Sequence, residues 1–423
     1  MKKILPISLG CVKNQVDLEY LLGRLSSEGY SFSNDFKECD YILINTCSFI
    51  EDARIETEEL IERHINSGKL IVTGCYPQLE NKSFNDKYRD VKWVLGTEPH
   101  INASKLVKSL EAETPLFLLN PNKSVYKECS QRVTVSRFHT YIKLSEGCSR
   151  RCAYCSIPNI RGALRSRSRV AVKQEISSLA QVGFSEFNLI SEDSSMYGRD
   201  IYRKYSLSNL VKEISNEYEN FYFRLLYVYP DKSVYDVIEA VASAKSFVKY
   251  IDIPFQHSSE RLLKKMGRSG EDVRNVARFA KERGLILRST VMVGFPGETD
   301  SDFKNLLEFI SEGYVDKLGV FVYSDEKNTP AFKMKEKVQE KRKRERFNEV
   351  IKTYRKLAFE NMKKNVGSIK QAVFYSFKGE YYVGRLMEDA PEIDSALLCK
   401  NKVDLNKVVE VKIRGVKNYT YYS

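Results

Sequence analysis

The most constraining feature of this sequence is a group of three cysteines, Cys148, Cys152 and Cys155, separated by three and then two residues. The group directly follows an apolar-alternating stretch, Tyr141–Leu144, which predicts a strand leading into a tight loop. On such a loop the three thiolates can converge on one soft metal centre. A cubane of four irons and four sulfides normally takes four thiolates, so a set of three leaves one iron open to an outside ligand.

Two simpler interpretations fit these three cysteines less well. A structural zinc site needs a fourth Cys or His close by, but the next histidine downstream is His257. Disulfide bonds are unusual in an intracellular chain, and three cysteines cannot all pair among themselves. The group therefore favours an iron–sulfur cluster.

Three apolar segments in the N-terminal third each end at a cysteine, and helical patterns separate them. Strands that alternate with helices predict a doubly wound parallel sheet, in which ligands bind beyond the carboxyl ends of the strands. Buried cysteines are also common as small apolar residues, but this does not explain why each one follows a strand. We therefore predict a second three-cysteine metal centre in an N-terminal domain, residues 1–130, formed by Cys11, Cys47 and Cys75.

The central part of the chain, residues 137–365, alternates repeatedly between strand and helix patterns. Six strand–helix units predict an open (β/α)6 partial barrel, an architecture whose chemistry gathers at the carboxyl ends of the strands. Residues on or just after the predicted strands are candidates for ligand binding, although a buried ion pair or a helix cap explains each of them equally well. These candidates are Ser191, Glu192, Arg224, Gln256 and Gly294.

The net charge of +12 is unevenly distributed. Between Lys333 and Gly367 there are 13 Lys and Arg against 5 Glu. Such a run is either a solvated helix face or a patch that contacts RNA phosphates, so residues 333–364 are a candidate contact for ribosomal RNA. No apolar run approaches the roughly eighteen residues of a membrane span, and we expect a cytoplasmic protein.

Residues 366–423 predict a third, small domain, an antiparallel β-barrel of short alternating strands. Barrels of this size often bind nucleic acids through basic and aromatic surfaces. Residues 379–394, however, contain five acids against one arginine, Arg385. An acidic loop repels RNA and attracts a basic protein, but it is also compatible with an ordinary solvated turn. The acids at its end are Asp389, Glu392 and Asp394.

The three-cysteine loop resembles the signature of the radical S-adenosylmethionine (SAM) enzymes. Residues 45–53 (NTCSFIEDA) and 74–77 (GCYP) are similar to the methylthiotransferase branch of these enzymes, and the similarity spans nearly the whole chain. Three stretches are most similar to the RimO type: residues 8–14 (SLGCVKN), residues 157–167 with IPNIRG and RSR, and residues 389–394 (DAPEID). The chain departs from the usual pattern at Val12, Gln15, Glu192 and Ser395, none of which is a cysteine.

The resemblance implies two [4Fe–4S] clusters, with SAM as a cosubstrate and a TRAM-like C-terminal barrel. Cys148, Cys152 and Cys155 would hold the cluster that binds SAM, and the three N-terminal cysteines would hold an auxiliary cluster. Tyr154 would lie against the adenine of SAM. The remaining implied SAM contacts are Ser191 and Glu192 to the amino group, Arg224 to the carboxylate, Gln256, and Gly294; the implied substrate contacts are Asp389, Glu392 and Asp394.

The implied reaction adds a methylthio group to the β-carbon of an aspartate in small-subunit ribosomal protein S-twelve. An electron passed to SAM gives a 5′-deoxyadenosyl radical, which removes hydrogen from a carbon that polar chemistry cannot readily activate. The implied partners are that protein or the small ribosomal subunit, an electron-donor protein and a sulfur donor. Two alternatives remain open: a MiaB-like methylthiotransferase acting on transfer-RNA adenosine, and a non-catalytic iron–sulfur scaffold that binds RNA.

Overall fold

The computed structural model describes residues 2–48, 50–120, 126–134, 136–268 and 270–423. Phe49, within the 45–53 stretch, lies outside the described residues. The chain forms two compact units. The first contains Met1–Val135, Tyr141–Glu175 and Ser324–Phe332, and the second contains Ser136–Thr140, Ile176–Tyr323 and Lys333–Ser423.

The first unit opens with alternating strands and helices: β1 (Lys3–Ser8), α1 (Val12–Ser27), β2 (Ser31–Phe32), β3 (Tyr41–Thr46), α2 (Glu51–His64), β4 (Leu70–Gly74), α3 (Cys75–Glu80), α4 (Lys82–Lys87), β5 (Trp93–Leu95), α5 (Ala103–Glu111) and β6 (Leu116–Leu118). The strands form a parallel sheet in the order β2-β1-β3-β4-β5-β6. The strand order therefore reverses between β1 and β3, the place where doubly wound sheets bind ligands.

Both faces of this sheet are buried, because neighbouring residues along a strand point to opposite faces. Ile4 and Leu43 pack in one core, whereas Leu5 and Ile44 pack in another. Helices must therefore cover the sheet on both sides. The predicted doubly wound fold is confirmed.

The rest of the first unit surrounds the three-cysteine loop. Strand β7 (His139–Lys143) leads into a short antiparallel pair, β8 (Ser145–Glu146) and β9 (Arg165–Ser166). Helix α6 (Ile157–Arg161) lies between these two strands in the chain, and α7 (Arg169–Gln181) follows them.

The second unit continues with β10 (Glu186–Ile190), α8 (Leu207–Glu217), β11 (Tyr222–Leu225), α9 (Val234–Ser243), β12 (Phe247–Asp252), α10 (Glu260–Lys265), α11 (Val273–Glu282), β13 (Ile286–Val293), α12 (Asp300–Ser311), β14 (Lys317–Val322) and α13 (Glu340–Lys364). Strands β10 to β14 pair in parallel and in chain order, and β7 lies beside β10. Among the described residues β14 and β7 are not paired. The predicted open partial barrel is therefore confirmed.

The C-terminal strands are β15 (Ile369–Lys378), β16 (Tyr381–Leu386), β17 (Ala396–Cys399), β18 (Val408–Lys412), β19 (Gly415–Lys417) and β20 (Thr420–Tyr422). They form a curled sheet in the order β18-β15-β16-β17-β20-β19, around a core that includes Phe374, Leu386 and Leu397. The small barrel is thus present, with one correction: β17 and β20 pair in parallel, so the sheet is mixed rather than wholly antiparallel.

The basic run from Lys333 lies mostly on α13, one helix of 25 residues. Val350, Ala358 and Met362 are buried, while most of its Lys and Arg side chains are exposed. None of the described helices combines the length and the apolar character needed to cross a membrane.

A buried ion cluster fixes the loop after β16 against the barrel strands of the second unit. Arg224 is fully buried; its guanidinium pairs with Glu186, donates to Asn188 Oδ1 at 3.1 Å and donates to the backbone carbonyls of Met387 and Asp389. Burial tends to raise the pKa of Glu186, but two arginines beside it hold that pKa below its ordinary value. The terminal N–H groups of Arg224 therefore bind within the protein, a placement that does not favour the predicted contact with the SAM carboxylate.

Two acids of the same loop are also buried. Asp389 pairs with Lys317, the first residue of β14, and burial raises the pKa of its carboxyl to about 6. Asp394 accepts hydrogen bonds from the Tyr250 hydroxyl at 2.9 Å and from the Ala390 amide at 2.8 Å. Both carboxylates therefore hold the loop to the barrel.

These contacts lie toward the amino ends of the strands, because Lys317 begins β14 and Glu186 begins β10. Chemistry in such barrels takes place at the opposite, carboxyl ends. This placement does not favour the predicted contacts of Asp389 and Asp394 with the substrate. Glu392 is different, since its side chain is 55% exposed.

Replacing Asp389 with Ala should leave Lys317 largely buried without its anion. We expect the free energy of unfolding, measured by urea denaturation, to fall by roughly 3 kcal/mol. Glu392→Ala in the same loop is the matched control and should change stability by less than about 0.5 kcal/mol. Equal stabilities of the two variants would contradict the structural role of Asp389.

Candidate active site

The three N-terminal cysteines follow adjacent strands of the first unit. Cys11 immediately precedes α1, Cys47 directly follows β3, and Cys75 is the first residue of α3 after β4. The strands are in register at their carboxyl ends, where Ser8 pairs with Asn45. The predicted position of each cysteine after a strand is confirmed. Two of them, Cys11 and Cys47, flank the point where the strand order reverses.

The thiols of this set lie close enough to influence one another. The pKa of the Cys75 thiol is raised to about 12, mainly by burial; Arg161 opposes this rise, and the thiols of Cys11 and Cys47 add to it. A thiol in this environment needs positive charge nearby to ionise. The Cys75 thiol is therefore within electrostatic reach of the two other thiols and of Arg161.

Glycine at position 74 allows the chain to turn into Cys75. Gly74 has a φ of 103°, and a Cβ at this position would lie 2.7 Å from the backbone oxygen of Thr46. Any side chain would therefore clash with the end of β3. The sequence GCYP is explained here by a close approach of two strand ends.

The second set of cysteines lies on the loop between β8 and β9. Gly147 begins this loop with a φ of 71°, and a Cβ there would lie 2.2 Å from the Ala163 carbonyl oxygen. The Cys148 amide donates to the Gly162 carbonyl at 3.0 Å, and the Cys155 amide donates to the Cys152 carbonyl at 3.1 Å. The first bond joins the two ends of the loop, and the second forms a tight turn between two of its cysteines.

One backbone amide of the loop already points at a sulfur. The amide of Arg150 donates to Cys148 Sγ at 3.4 Å. Hydrogen bonds of this kind stabilise thiolates and tune the potential of iron–sulfur clusters. Tyr154, the predicted adenine contact, lies half-buried between Cys152 and Cys155.

A buried network of four charges lies in the same unit. Lys143 Nζ contacts Asp17 Oδ1 at 2.5 Å and Glu146 Oε2 at 2.6 Å. Arg161 Nη1 contacts Asp17 Oδ2 at 2.9 Å and Glu146 Oε1 at 2.6 Å. All four side chains are at most 1% exposed, so two cations and two anions neutralise one another away from water.

The network connects the two cysteine sets. Asp17 is on α1, which begins beside Cys11, and Arg161 ends α6, which begins shortly after Cys155. Arg161 Nη2 also lies 3.7 Å from Cys75 Sγ. One guanidinium thus binds the charge network and faces a sulfur of the N-terminal set.

Asn14 supports this arrangement, although its role could not be read from the sequence. Its Nδ2 donates to the Thr46 carbonyl at 2.7 Å, and its own carbonyl accepts from Asn45 Nδ2 at 2.9 Å. Its Oδ1 accepts from Arg161 Nη2 at 3.4 Å. The only indication of this role in the sequence was the position of Asn14 within residues 8–14 (SLGCVKN).

The two cysteine sets provide the kind of ligand that iron–sulfur clusters require. Among the described residues no three His, Cys, Asp or Glu side chains are grouped to hold a single metal ion. A [4Fe–4S] cluster makes a different demand, because each thiolate binds an iron of its own. Three thiols beside a buried arginine, and three more on a loop with an amide directed at sulfur, are compatible with that demand.

The predicted SAM contacts other than Arg224 and Tyr154 lie after strands of the second unit. Ser191 and Glu192 directly follow β10, Gln256 lies beyond β12, and Gly294 directly follows β13. Ser191 is fully buried and Glu192 is partly buried. All four are at the carboxyl ends, as predicted, while their contacts to SAM stay a prediction.

Backbone strain accumulates at the same strand ends. Gln256 has a φ of 71°, Gly294 has a φ of 80°, and Tyr227, just after β11, has a φ of 61°. Positive φ is costly for residues other than glycine and is typical of functional sites. Tyr227 was missed by the sequence analysis, because a tyrosine gives no signal of a left-handed conformation.

Gly294 has a further neighbour that the sequence did not indicate. A Cβ at this position would lie 2.3 Å from Cγ of Lys343, a buried residue of α13. The amide of Gly294 donates to the Glu298 carboxylate. The same carboxylate lies 3.4 Å from His257 Nε2, so His257 is a satisfied core histidine.

Two family models match the chain. The Radical SAM superfamily matches residues 142–310, and the Uncharacterized protein family UPF0004 matches residues 3–96. Curated relatives extend along the full length. The ribosomal protein uS12 methylthiotransferase RimO of Dictyoglomus thermophilum is 36% identical over 99% of this chain and 98% of its own. The RimO of Clostridium tetani is 35% identical over 98% of this chain and 96% of its own.

This chain belongs to the RimO family of radical SAM methylthiotransferases.

Solved structures of other radical SAM enzymes share the fold of this RimO-family chain. The methyltransferase TsrM from Kitasatospora setae, with cobalamin and a [4Fe–4S] cluster bound, has a TM-score of 0.56 over 78% of this chain and 77% of its own. OxsB, with aqua-cobalamin and SAM bound, has a TM-score of 0.52 over 75% of this chain and 53% of its own. Sequence identity is 16% in both cases, so the likeness supports the fold alone.

Replacing Arg161 with Gln in this RimO-family chain should leave Asp17 and Glu146 with one buried cation between them. We expect the free energy of unfolding of the metal-free protein, measured by urea denaturation, to fall by roughly 3 kcal/mol. Arg161→Lys should recover part of the loss because it restores the charge.

The matched control for Arg161 is Arg151→Gln, which removes an exposed arginine from the cysteine loop. Its stability should stay within about 0.5 kcal/mol of the wild-type value. An Arg161→Gln protein as stable as this control would show that the network does not hold the unit together.

Proposed function

We propose that this chain adds a methylthio group to the β-carbon of an aspartate in ribosomal protein uS12, the substrate named for its curated relatives. The observation that supports this proposal is the presence of two three-cysteine sets in one compact unit. Each set has three thiols, so each leaves an iron of a [4Fe–4S] cluster open. One open iron suits SAM, and the other suits the sulfur that is transferred.

The proposed assignment gives the SAM-binding cluster to Cys148, Cys152 and Cys155, and the auxiliary cluster to Cys11, Cys47 and Cys75. When bound, these clusters and SAM supply the one-electron chemistry that removes hydrogen from an unactivated carbon. The chain's own residues position these groups. Amides and Arg161 stabilise the thiolates, and the glycines at 74 and 147 shape the two loops.

The proposed SAM site uses Tyr154 and the strand ends of the barrel. Tyr154 would contact the adenine, and Ser191 and Glu192 would receive the amino group. Gln256 and Gly294, both at positive φ, would complete the set. Arg224 is left out of this set because its terminal N–H groups bind Glu186, Asn188 and two backbone carbonyls.

The proposed substrate contacts are reduced to the exposed part of the acidic loop. Glu392 is the member of the predicted trio whose carboxylate reaches solvent. The exposed Lys and Arg side chains of α13 favour a second candidate substrate, transfer RNA, or a contact with ribosomal RNA through residues 333–364. The RimO relationship makes the ribosomal protein our preferred substrate.

Several finer assignments complete the proposal. The functional domains would be residues 1–130 for the auxiliary cluster, 137–365 for the radical SAM core and 366–423 for the TRAM-like barrel. Two open clusters require an electron-donor protein and a sulfur donor. Because such clusters are sensitive to oxygen, we propose that the enzyme works in the cytoplasm.

A competition between substrates tests the proposal. Reconstituted enzyme, SAM, sulfide and a reductant would be incubated anaerobically with small ribosomal subunits and unmodified transfer RNA, followed by mass spectrometry. We expect a methylthio group on an aspartyl peptide of uS12. A methylthiolated adenosine would keep the chemistry and overturn the substrate. Neither product, with both clusters intact, would favour the iron–sulfur scaffold.

The variant Cys152→Ala tests the cofactor assignment. It should abolish the reductive cleavage of SAM, measured as 5′-deoxyadenosine by liquid chromatography, because the loop then retains two thiolates. Cys129→Ala, which removes a cysteine outside both sets, should cleave SAM at the wild-type rate. Wild-type cleavage by Cys152→Ala would refute the assignment of this loop.

A further inference from the structure

The second unit contains a cavity of about 760 Å³ that the proposed reaction does not use. It lies between α13, the amino ends of β12 to β14 and the C-terminal sheet. The volume is within the range of small-molecule sites. Because ligands of the barrel bind at the carboxyl ends of the strands, this cavity is separate from the candidate active site.

The lining of the cavity has more positive than negative charge. Its six cationic side chains are Lys249, Arg288, Lys317, Arg355, Lys364 and Lys370, and its three acids are Asp316, Glu388 and Asp394.

Each of the three acids already has a cationic partner. Lys370 lies 2.8 Å from Glu388, and the Arg288 guanidinium lies 3.9 Å from Asp394. Asp316 is paired at 2.8 Å with Lys281, which is outside the lining. The acids therefore do not neutralise the remaining cations of the cavity.

Three of the cations have no acidic partner within the described part of the chain. Lys249 donates to two backbone carbonyls, Lys364 donates to Asn361 Oδ1 at 2.9 Å, and Arg355 lies near the ring of Tyr419. Lys317 differs, because its ammonium is paired with Asp389. An excess of unpaired cations around a concave site attracts an anion such as a phosphate.

An exposed aromatic ring stands at the same cavity. Tyr419 is 37% exposed, and its hydroxyl donates to the Arg355 carbonyl at 3.2 Å. The ring centroid lies 5.8 Å from the Arg355 guanidinium. The guanidinium of Arg355 thus lies over the ring of Tyr419, so a cation and an aromatic ring are found together at the cavity.

The backbone at Tyr419 is held in a costly conformation. Asn418 and Tyr419 form the turn between β19 and β20, with φ of 48° and 58°. Two-residue turns of this kind favour glycine at the second position. A tyrosine held there is a strained residue, and such residues are typical of ligand sites.

We infer that this cavity binds a nucleotide, with its phosphate at Arg355 and Lys364 and its base against the Tyr419 ring. Phosphate recognition by unpaired cations combined with stacking on an exposed ring is the usual chemistry of sites for unpaired nucleotides. The nucleotide is either free or part of a single-stranded RNA. The inference goes beyond the proposed methylthiotransferase activity and does not require it.

The inference is tested by binding to the full-length protein with its clusters reconstituted. Isothermal titration calorimetry would use adenosine 5′-monophosphate, inorganic phosphate and a short single-stranded RNA as separate probes. We expect the monophosphate or the RNA to bind, and the double variant Arg355→Gln/Lys364→Gln to weaken that binding about tenfold or more. Binding of the monophosphate indicates a free nucleotide, and binding of the RNA alone indicates an RNA strand.

Two further variants distinguish binding from stability. Tyr419→Gly removes the ring but suits the left-handed backbone, so the variant should remain folded by circular dichroism and still lose affinity for the same probe. The double variant Lys378→Gln/Lys402→Gln removes two exposed lysines that lie outside both the cavity and residues 333–364, and it should bind normally.

Three results would overturn the inference. The first is that neither the monophosphate nor the RNA binds. The second is that inorganic phosphate binds as tightly as both of them. The third is that the Lys378/Lys402 control loses as much affinity as the Arg355/Lys364 variant. The binding measurement is independent of the methylthiolation assay, because it reports on the amino ends of the barrel strands. Nucleotide binding can be absent while methylthiolation persists, and methylthiolation can be absent while nucleotide binding persists.

Discussion

The buried charge network of Asp17, Lys143, Glu146 and Arg161 is the constraint on which the first unit depends. Removing ions from water is costly, and the cost is offset only when each charge keeps its partners. The four residues come from α1, β7, β8 and α6, so these elements must meet at one place. Since α1 begins beside Cys11 and α6 begins shortly after Cys155, satisfying the network also positions both cysteine sets.

The two sets reach their positions by different routes. The N-terminal cysteines use the topology of a doubly wound sheet, which brings residues far apart in the chain to one edge. The second set uses a short loop, closed by backbone hydrogen bonds and by Gly147, whose missing side chain admits the Ala163 carbonyl. Arg161 serves both, because it belongs to the network and also faces Cys75 Sγ. The geometry therefore suits an enzyme that needs two open clusters in one unit.

The sequence predicted what depends on local pattern. The strands before Cys11, Cys47 and Cys75 and the order of the barrel strands follow from apolar periodicity, and the structure confirms them. The sequence could not predict which charged residues pair across the fold. Arg224 and Asp389 looked like ligand contacts, but tertiary packing uses both to fix a loop at the amino ends of the barrel. Tyr227 was missed because its left-handed backbone is imposed by the strands around it.

Iron and sulfide analysis combined with Mössbauer spectroscopy tests most directly whether the chain builds two separate clusters. The reconstituted wild-type protein should contain about eight irons, and replacing either complete set of three cysteines with alanine should leave about four. The remaining spectrum should be that of a [4Fe–4S] cluster in both variants. A wild-type protein with about four irons, or a triple variant that still bound about eight, would contradict the two-cluster arrangement.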